Sequence, residues 1–137
     1  MKILYIVRGL PGSGKSTFAE ELTKGHGTGH AYVDGGVALE ADSYFVNEEG
    51  VYIFNPEKLA EAHTACHDGC KQAMKAGRKI AIANTFSMKW EAKPYFDLAE
   101  EHGYSVFVIE CQNKFEDIHG VPEGVRYNMK ERWEEIV

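Results

Sequence analysis

Short apolar runs alternate with longer amphipathic stretches along this chain, and that rhythm sets the expected fold. Residues Lys2 to Val7 form an apolar run ending at Gly9, which suits a fully buried parallel strand. Lys15 to Lys24 reads as a helix, broken by the "GHGTG" of Gly25 to Gly29. A second strand is expected around Val37 to Leu39, followed by "EADSYF". Asn55 caps and Pro56 opens a long helix that runs to Ala76, with Gly77 as its stop. "KIAIA" is the third strand; Met88 to His102 is the next helix, with Pro94 inside it and Gly103 ending it. "YSVFVIE" is the fourth strand, and "PEGVRYNMKERWEEI" closes the chain as a helix with Pro122 in its first turn.

Strands alternating with helices predict an α/β domain with a parallel sheet and right-handed crossovers. Ligands of such sheets sit at the carboxyl ends of the strands. With 137 residues the chain fits one domain with one packed core. No stretch approaches the roughly 18 unbroken apolar residues of a membrane span, so no membrane partner is expected. The first apolar run is too short for a signal peptide and leads straight into a glycine loop. Cys66, Cys70 and Cys111 are an odd number, which fits a reduced, cytoplasmic setting better than a disulfide framework. The formal charge of −6 argues against a sequence-independent nucleic-acid coat, which needs clustered Lys and Arg. A local basic cleft on an acidic surface stays compatible with it.

The most informative stretch is "GLPGSGKS", Gly9 to Ser16, which matches G-x-x-x-x-G-K-[ST] between an expected strand and an expected helix. Glycines let successive backbone N–H groups turn inward around phosphate oxygens, and the following helix N-terminus adds partial positive charge. Gly12, Ser13, Gly14, Lys15, Ser16 and Thr17 are therefore the expected nucleotide-binding residues. Lys15 is expected to reach the β- and γ-phosphates and the Ser16 hydroxyl to ligate Mg²⁺, with ATP as the nucleotide.

The motifs "GLPGSGKST", "ADSYF", "FNPEKLAEAH", "ANTF", "HGVP" and "MKERWEE" follow one another over nearly the whole chain. In that order they resemble the kinase domain of polynucleotide 5′-hydroxyl kinases and its small P-loop relatives. The resemblance implies a three-layer P-loop kinase fold, with a short, mostly parallel sheet of about four strands flanked by helices. It implies one kinase-like domain over residues 1–137, with a short lid around 111–121. It also implies transfer of the γ-phosphate of ATP to a hydroxyl, with a nucleic-acid or nucleotide hydroxyl as acceptor. Asp42 matches the general base of the family's "A-D-x-[YF]" segment, joining Lys15 as a catalytic residue. The other reading of Asp42 is a cap on the following turn.

Three departures from the family pattern bear on the acceptor side. Relatives commonly carry an acidic residue after strand three, where this chain reads Ala83-Asn84-Thr85-Phe86; Asn84 is left to hydrogen-bond a metal-bound water without supplying charge. Phage-type kinases carry an arginine three residues after the base, where this chain has Phe45, which cannot neutralise a phosphate though it could stack on a base. Before "HGVP" relatives have an Arg-Asn pair, replaced here by Glu116-Asp117. Lys114, His119, Arg126 and Arg132 are the candidates to substitute for that arginine, Arg126 being assigned to the nucleotide. Arg126 and Arg132 stand six residues apart on one helix, roughly 120° from sharing a face. These departures keep two alternatives in play: a small-molecule or modified-base hydroxyl as acceptor, or a nucleotide-binding module with little turnover.

His63, Cys66, His67 and Cys70 fall on one helical stripe. Seven residues span about 10.5 Å of helix, too far for one tetrahedral ion, so packing is the expected role. "HGT" at His26 to Thr28 matches half of a paired phosphoesterase motif and has no second copy. Phe45, Tyr52 and Phe54 are expected as packing residues or an aromatic wall for a base, and Trp90 and Trp133 as packing of outer helices on the sheet.

Overall fold

The computed structural model describes residues 1–28, 31–33, 35–112 and 121–136. In chain order its elements are β1 (Ile3–Gly9), α1 (Lys15–Thr23), β2 (His26–Thr28), β3 (Ala31–Val33), β4 (Val37–Leu39), α2 (Leu59–Lys75), β5 (Ile80–Asn84), α3 (Lys89–His102), β6 (Ser105–Cys111) and α4 (Glu123–Glu131). The apolar runs became one parallel sheet in the order β4–β5–β1–β6. β1 lies in the interior, with Leu4 beside both Ile80 and Val106.

Strand alternation sorts the core into two faces. Leu4, Ile6, Ile80 and Ile82 point to one face, where they pack with Ala62, Cys66, Cys70 and Met74 of α2 and Ala92, Tyr95 and Leu98 of α3. Val7, Ala81 and Ala83 point to the other face, with Ala19 of α1. Helices therefore cover both faces, which gives the expected three layers. Each fully buried Leu or Ile contributes about 1.5–3 kcal/mol. The alanine pair on β5 leaves little bulk on the α1 side.

Periodicity explains which helix faces turn inward. α1 buries Lys15, Ala19 and Thr23 at four-residue steps, and α2 buries Ala62, Cys66, Cys70 and Ala73 at steps of four and three. The Asn55 side chain accepts from the Glu57 N–H at 3.0 Å, but the turn it caps, Pro56–Lys58, is 3₁₀ rather than α, and α2 begins after it. α3 runs through Pro94 from Lys89, its start fixed by the Met88 N–H donating to Glu91 at 3.1 Å.

Three expectations are corrected. The glycine-rich break after α1 contains an antiparallel hairpin, β2–β3. The last helix stops at Glu131 instead of reaching Ile136. Beyond it the chain is drawn across the sheet edge: the Glu134 N–H donates to the Ser87 carbonyl at 2.7 Å and the Trp133 indole to Glu110 at 2.7 Å. Trp90 is 69% exposed and packs nothing onto the sheet, whereas Trp133 stacks on Arg8, whose Cζ lies 4.0 Å from the ring centroid. Residues 113–120, with Lys114, Glu116, Asp117 and His119, lie outside the described residues, and with them most of the lid expected around 111–121.

Candidate active site

The phosphate loop leaves the carboxyl end of β1 and enters α1 directly. Gly14, the residue before the helix, sits at φ 87°, a left-handed conformation that glycine adopts without steric cost. A side chain at Gly9 would overlap the Ser13 hydroxyl, so the start of the loop also demands glycine. The Ser13 hydroxyl is buried and has no hydrogen-bond partner among the described residues. A buried, unpaired hydroxyl is costly in a finished protein and fits a loop shaped for an anion. Such an anion also suits the N-terminus of α1. The loop residues present thus fit a nucleotide phosphate.

Two cavities flank the loop, and Pro11 lines both. One, of about 460 Å³, brings together Lys15, Asp42, Tyr52, Phe54, Asn84 and Arg132. The other, of about 730 Å³, lies toward β6 and α4 and is lined by Ser13, Cys111, Arg126 and Tyr127. Lys15 is only 9% exposed, its stem held in the buried stripe of α1. Asp42 is half-buried in the first turn of a short 3₁₀ segment, Ala41–Phe45, and accepts a long 3.4 Å hydrogen bond from the Tyr52 hydroxyl. The structure therefore brings Lys15 and Asp42 to one cavity. It places Arg126 beside the loop on the other side, and Arg132, which donates to the Ser87 hydroxyl at 2.9 Å, on the Asp42 side.

The aromatic residues expected as packing or as a wall take both parts. Phe45 is 6% exposed and belongs to the core, edge-on to Phe54 with centroids 5.0 Å apart, so it offers no face to a base. Tyr52 and Phe54 do line the cavity, so the aromatic trio divides between core and wall. The Asn84 amide is engaged within the protein: its oxygen accepts from the Ala41 N–H at 2.8 Å, and its nitrogen donates to the Cys66 sulfur at 3.8 Å. Asn84 therefore pins the Asp42 turn to the end of β5.

The sequence reading passed over two residues. Glu40 follows β4, and one of its carboxylate oxygens accepts from the Ser16 hydroxyl at 2.5 Å. The pairing joins residues 24 apart, so the one hint in the sequence was an acid just past an expected strand end. Arg8, 2% exposed, donates to the Phe86 carbonyl at 3.1 and 2.6 Å and approaches Glu110 at 3.5 Å. Burial lowers the proton affinity of Arg8, and Glu110 works against that shift. A hydrogen bond from Gln112 does most to hold the Glu110 carboxyl below its ordinary value; burial opposes it, and the Trp133 indole and the Arg8 charge add smaller pulls downward. Phe86 carries the left-handed φ of 48°, and the doubled hydrogen bond to its carbonyl secures that turn. On the His/Cys stripe, Cys66 and Cys70 are buried free thiols, and the described residues hold no cluster of metal-ligating side chains. No helix among them is long and apolar enough to cross a membrane.

Known proteins match this arrangement. The human NEDD4-binding protein 2 is 35% identical over 98% of this chain, which spans only 8% of that protein's length. Among solved structures, a chain of the Pnkp1/Rnl/Hen1 RNA repair complex superposes with a TM-score of 0.59 at 18% identity, covering 94% of this chain and 36% of that one. A gluconokinase from Sinorhizobium meliloti superposes with a TM-score of 0.58 at 13% identity, covering 98% and 76%. Those two likenesses establish a shared α/β P-loop kinase-like fold. The family model described as "AAA domain" matches residues 4–118, from the first strand through the phosphate loop and past β6. The chain belongs to that AAA domain family and carries its P-loop in a kinase-like fold.

Proposed function

We propose that this protein is an ATP-dependent phosphotransferase that moves the γ-phosphoryl group to a hydroxyl, with a nucleic-acid or nucleotide hydroxyl as the acceptor class. The observation that carries this reading is the meeting of Lys15 and Asp42 in one cavity beside the phosphate loop. Lys15 and the amides from Gly12 to Thr17 hold the β- and γ-phosphates, and Arg126 serves the nucleotide from the opposite cavity. The Asp42 carboxylate orients the acceptor hydroxyl and takes its proton as the oxygen–phosphorus bond forms and ADP departs. Tyr52 and Phe54 wall the acceptor side. Ser16 offers the hard oxygen that Mg²⁺ prefers; when bound, that ion neutralises charge on the phosphates. The RNA repair assembly among the structural neighbours supports a nucleic-acid acceptor.

A second reading keeps the chemistry and changes the acceptor to a small-molecule or modified-base hydroxyl. It is favoured by Phe45: where phage-type kinases place a phosphate-holding arginine, this protein has a core side chain. A nucleotide-binding module without turnover is the third outcome. Label from γ-labelled ATP, supplied with 5′-hydroxyl DNA and RNA, nucleosides and hydroxymethylated duplex, separates the three. The Asp42→Asn variant is expected to lose about 10²- to 10⁴-fold in transfer rate while still binding ATP. Undiminished transfer by that variant removes Asp42 from the reaction. ATP binding with no acceptor labelled moves the binding module ahead.

A further inference from the structure

The carboxyl edge of β4 and β5 should carry whatever the protein offers a cation beside the phosphates, and Glu40 there brings negative charge to Ser16. β4 pairs with β5 through Leu39 and Ile82, so the next step of the register sets Glu40 level with Ala83. Ala83 is buried and offers no ligand, and the Asn84 amide is engaged by Ala41 and Cys66. Glu40 continues the extended course of β4 at φ −151° and ψ 146°, which brings its carboxylate to the first turn of α1. There it accepts the Ser16 hydroxyl at 2.5 Å in a half-buried setting. Among the described residues its other oxygen makes no hydrogen bond.

A serine oxygen can ligate a cation only if its own proton points elsewhere, to an acceptor. We propose that Glu40 is that acceptor and the acidic member of the magnesium site: it fixes the Ser16 hydroxyl with a lone pair free for the ion and adds the negative charge that Asn84 lacks. Glu40 acts through Ser16 and is therefore a positioning residue. The inference rests on the nucleotide reading above, and it places the metal's charge at the end of β4 rather than β5. The competing explanation is a carboxylate that merely complements the N-terminus of α1. That role would be independent of any metal.

Titrating the full chain with a fluorescent ATP analogue, in Mg²⁺ and again in EDTA, separates the two. In the wild type Mg²⁺ tightens nucleotide binding. In Glu40→Gln that tightening is expected to shrink about 10- to 100-fold, as for other residues that orient a metal ligand, with affinity in EDTA kept or improved. Glu40→Asp keeps the charge and should retain part of the tightening. Circular dichroism melting checks the fold of both; if Glu40→Gln does not fold, a partial loss of tightening in Glu40→Asp carries the result. Unchanged tightening in the folded variant, or an equal loss of affinity in Mg²⁺ and in EDTA, overturns the proposal. Nucleotide binding that Mg²⁺ does not affect in the wild type overturns it as well and leaves the nucleotide reading standing. A wild type that binds no nucleotide under either condition ends both.

Discussion

Arg8 and Gly9 are neighbours in the chain, yet they open two regions built by opposite rules. From Gly9 onward the phosphate loop is small residues and backbone, and its buried Ser13 hydroxyl is left without a partner among the described residues. Around Arg8 the polar groups are turned on one another: the guanidinium meets the Phe86 carbonyl, Glu110 and the Trp133 ring, and the Trp133 indole returns to Glu110. Arg132 and the Glu134 N–H add two further hydrogen bonds on Ser87. The first region leaves the Ser13 hydroxyl open to a partner from outside the chain, and the second uses its polar groups to fasten β1, the turn after β5, β6 and the tail together. Polar satisfaction thus distinguishes a site from its scaffold better than polarity does.

The comparison breaks hardest at Arg8. Replacing it with alanine strips the Phe86 carbonyl of its charged donor and removes the packing under Trp133, and is expected to cost about 3 kcal/mol by urea denaturation. A loss below about 1 kcal/mol would show that the fastening is ornamental. The buried thiols of α2 belong to the scaffold as well. Burial pushes the Cys70 thiol up to about 12 from an ordinary 9.0, with a smaller push from Cys66. Above pH 9.0 the unfolded chain therefore releases a proton that the folded protein keeps, and stability falls as pH rises toward 12. Melting temperatures followed upward from pH 9 should decline less steeply in Cys70→Ala than in the wild type; equal slopes would refute a role for this thiol. The smallest change is expected on the loop side. Ser13→Ala deletes an unpaired buried hydroxyl and should raise stability by about 1 kcal/mol in the absence of nucleotide. A large destabilisation there would mean that the loop, too, is scaffold.

The sequence announced most of the fold because the sheet strands are apolar on both faces and each helix carries its own punctuation. Runs such as "YIV" and "IAIA" cannot be solvated, and Gly103 and Pro122 mark a stop and a start that the structure keeps. The β2–β3 hairpin escaped because three-residue strands among glycines carry no period to read. The early end of α4 escaped because "RWEEI" has helical propensity, and the contacts that draw it out lie on Ser87 and Glu110, far away in the chain. The phosphate loop was legible as a local motif. Glu40 was not, since its meaning depends on β4 arriving beside α1, and neither was Arg8, whose partners Phe86 and Trp133 meet it only in the fold. Phe45 carried two readings, packing or a base contact, and the turn of Ala41–Phe45 decides for packing by rolling it inward.

The strand order has a consequence for how the protein is made. β1 emerges first, but it pairs only with β5 and β6, which come from the second half of the chain. Until those strands have been synthesised, the phosphate loop has no sheet edge on which to hang, and α1 has no alanine face to rest on. The sheet begins when β5 appears, since β5 pairs with β4 on one side and β1 on the other, and β6 then adds to the free edge of β1. With its contacts this distant in sequence, the sheet is expected to form late and slowly, and the apolar first strand is the segment most in need of shielding while the ribosome finishes.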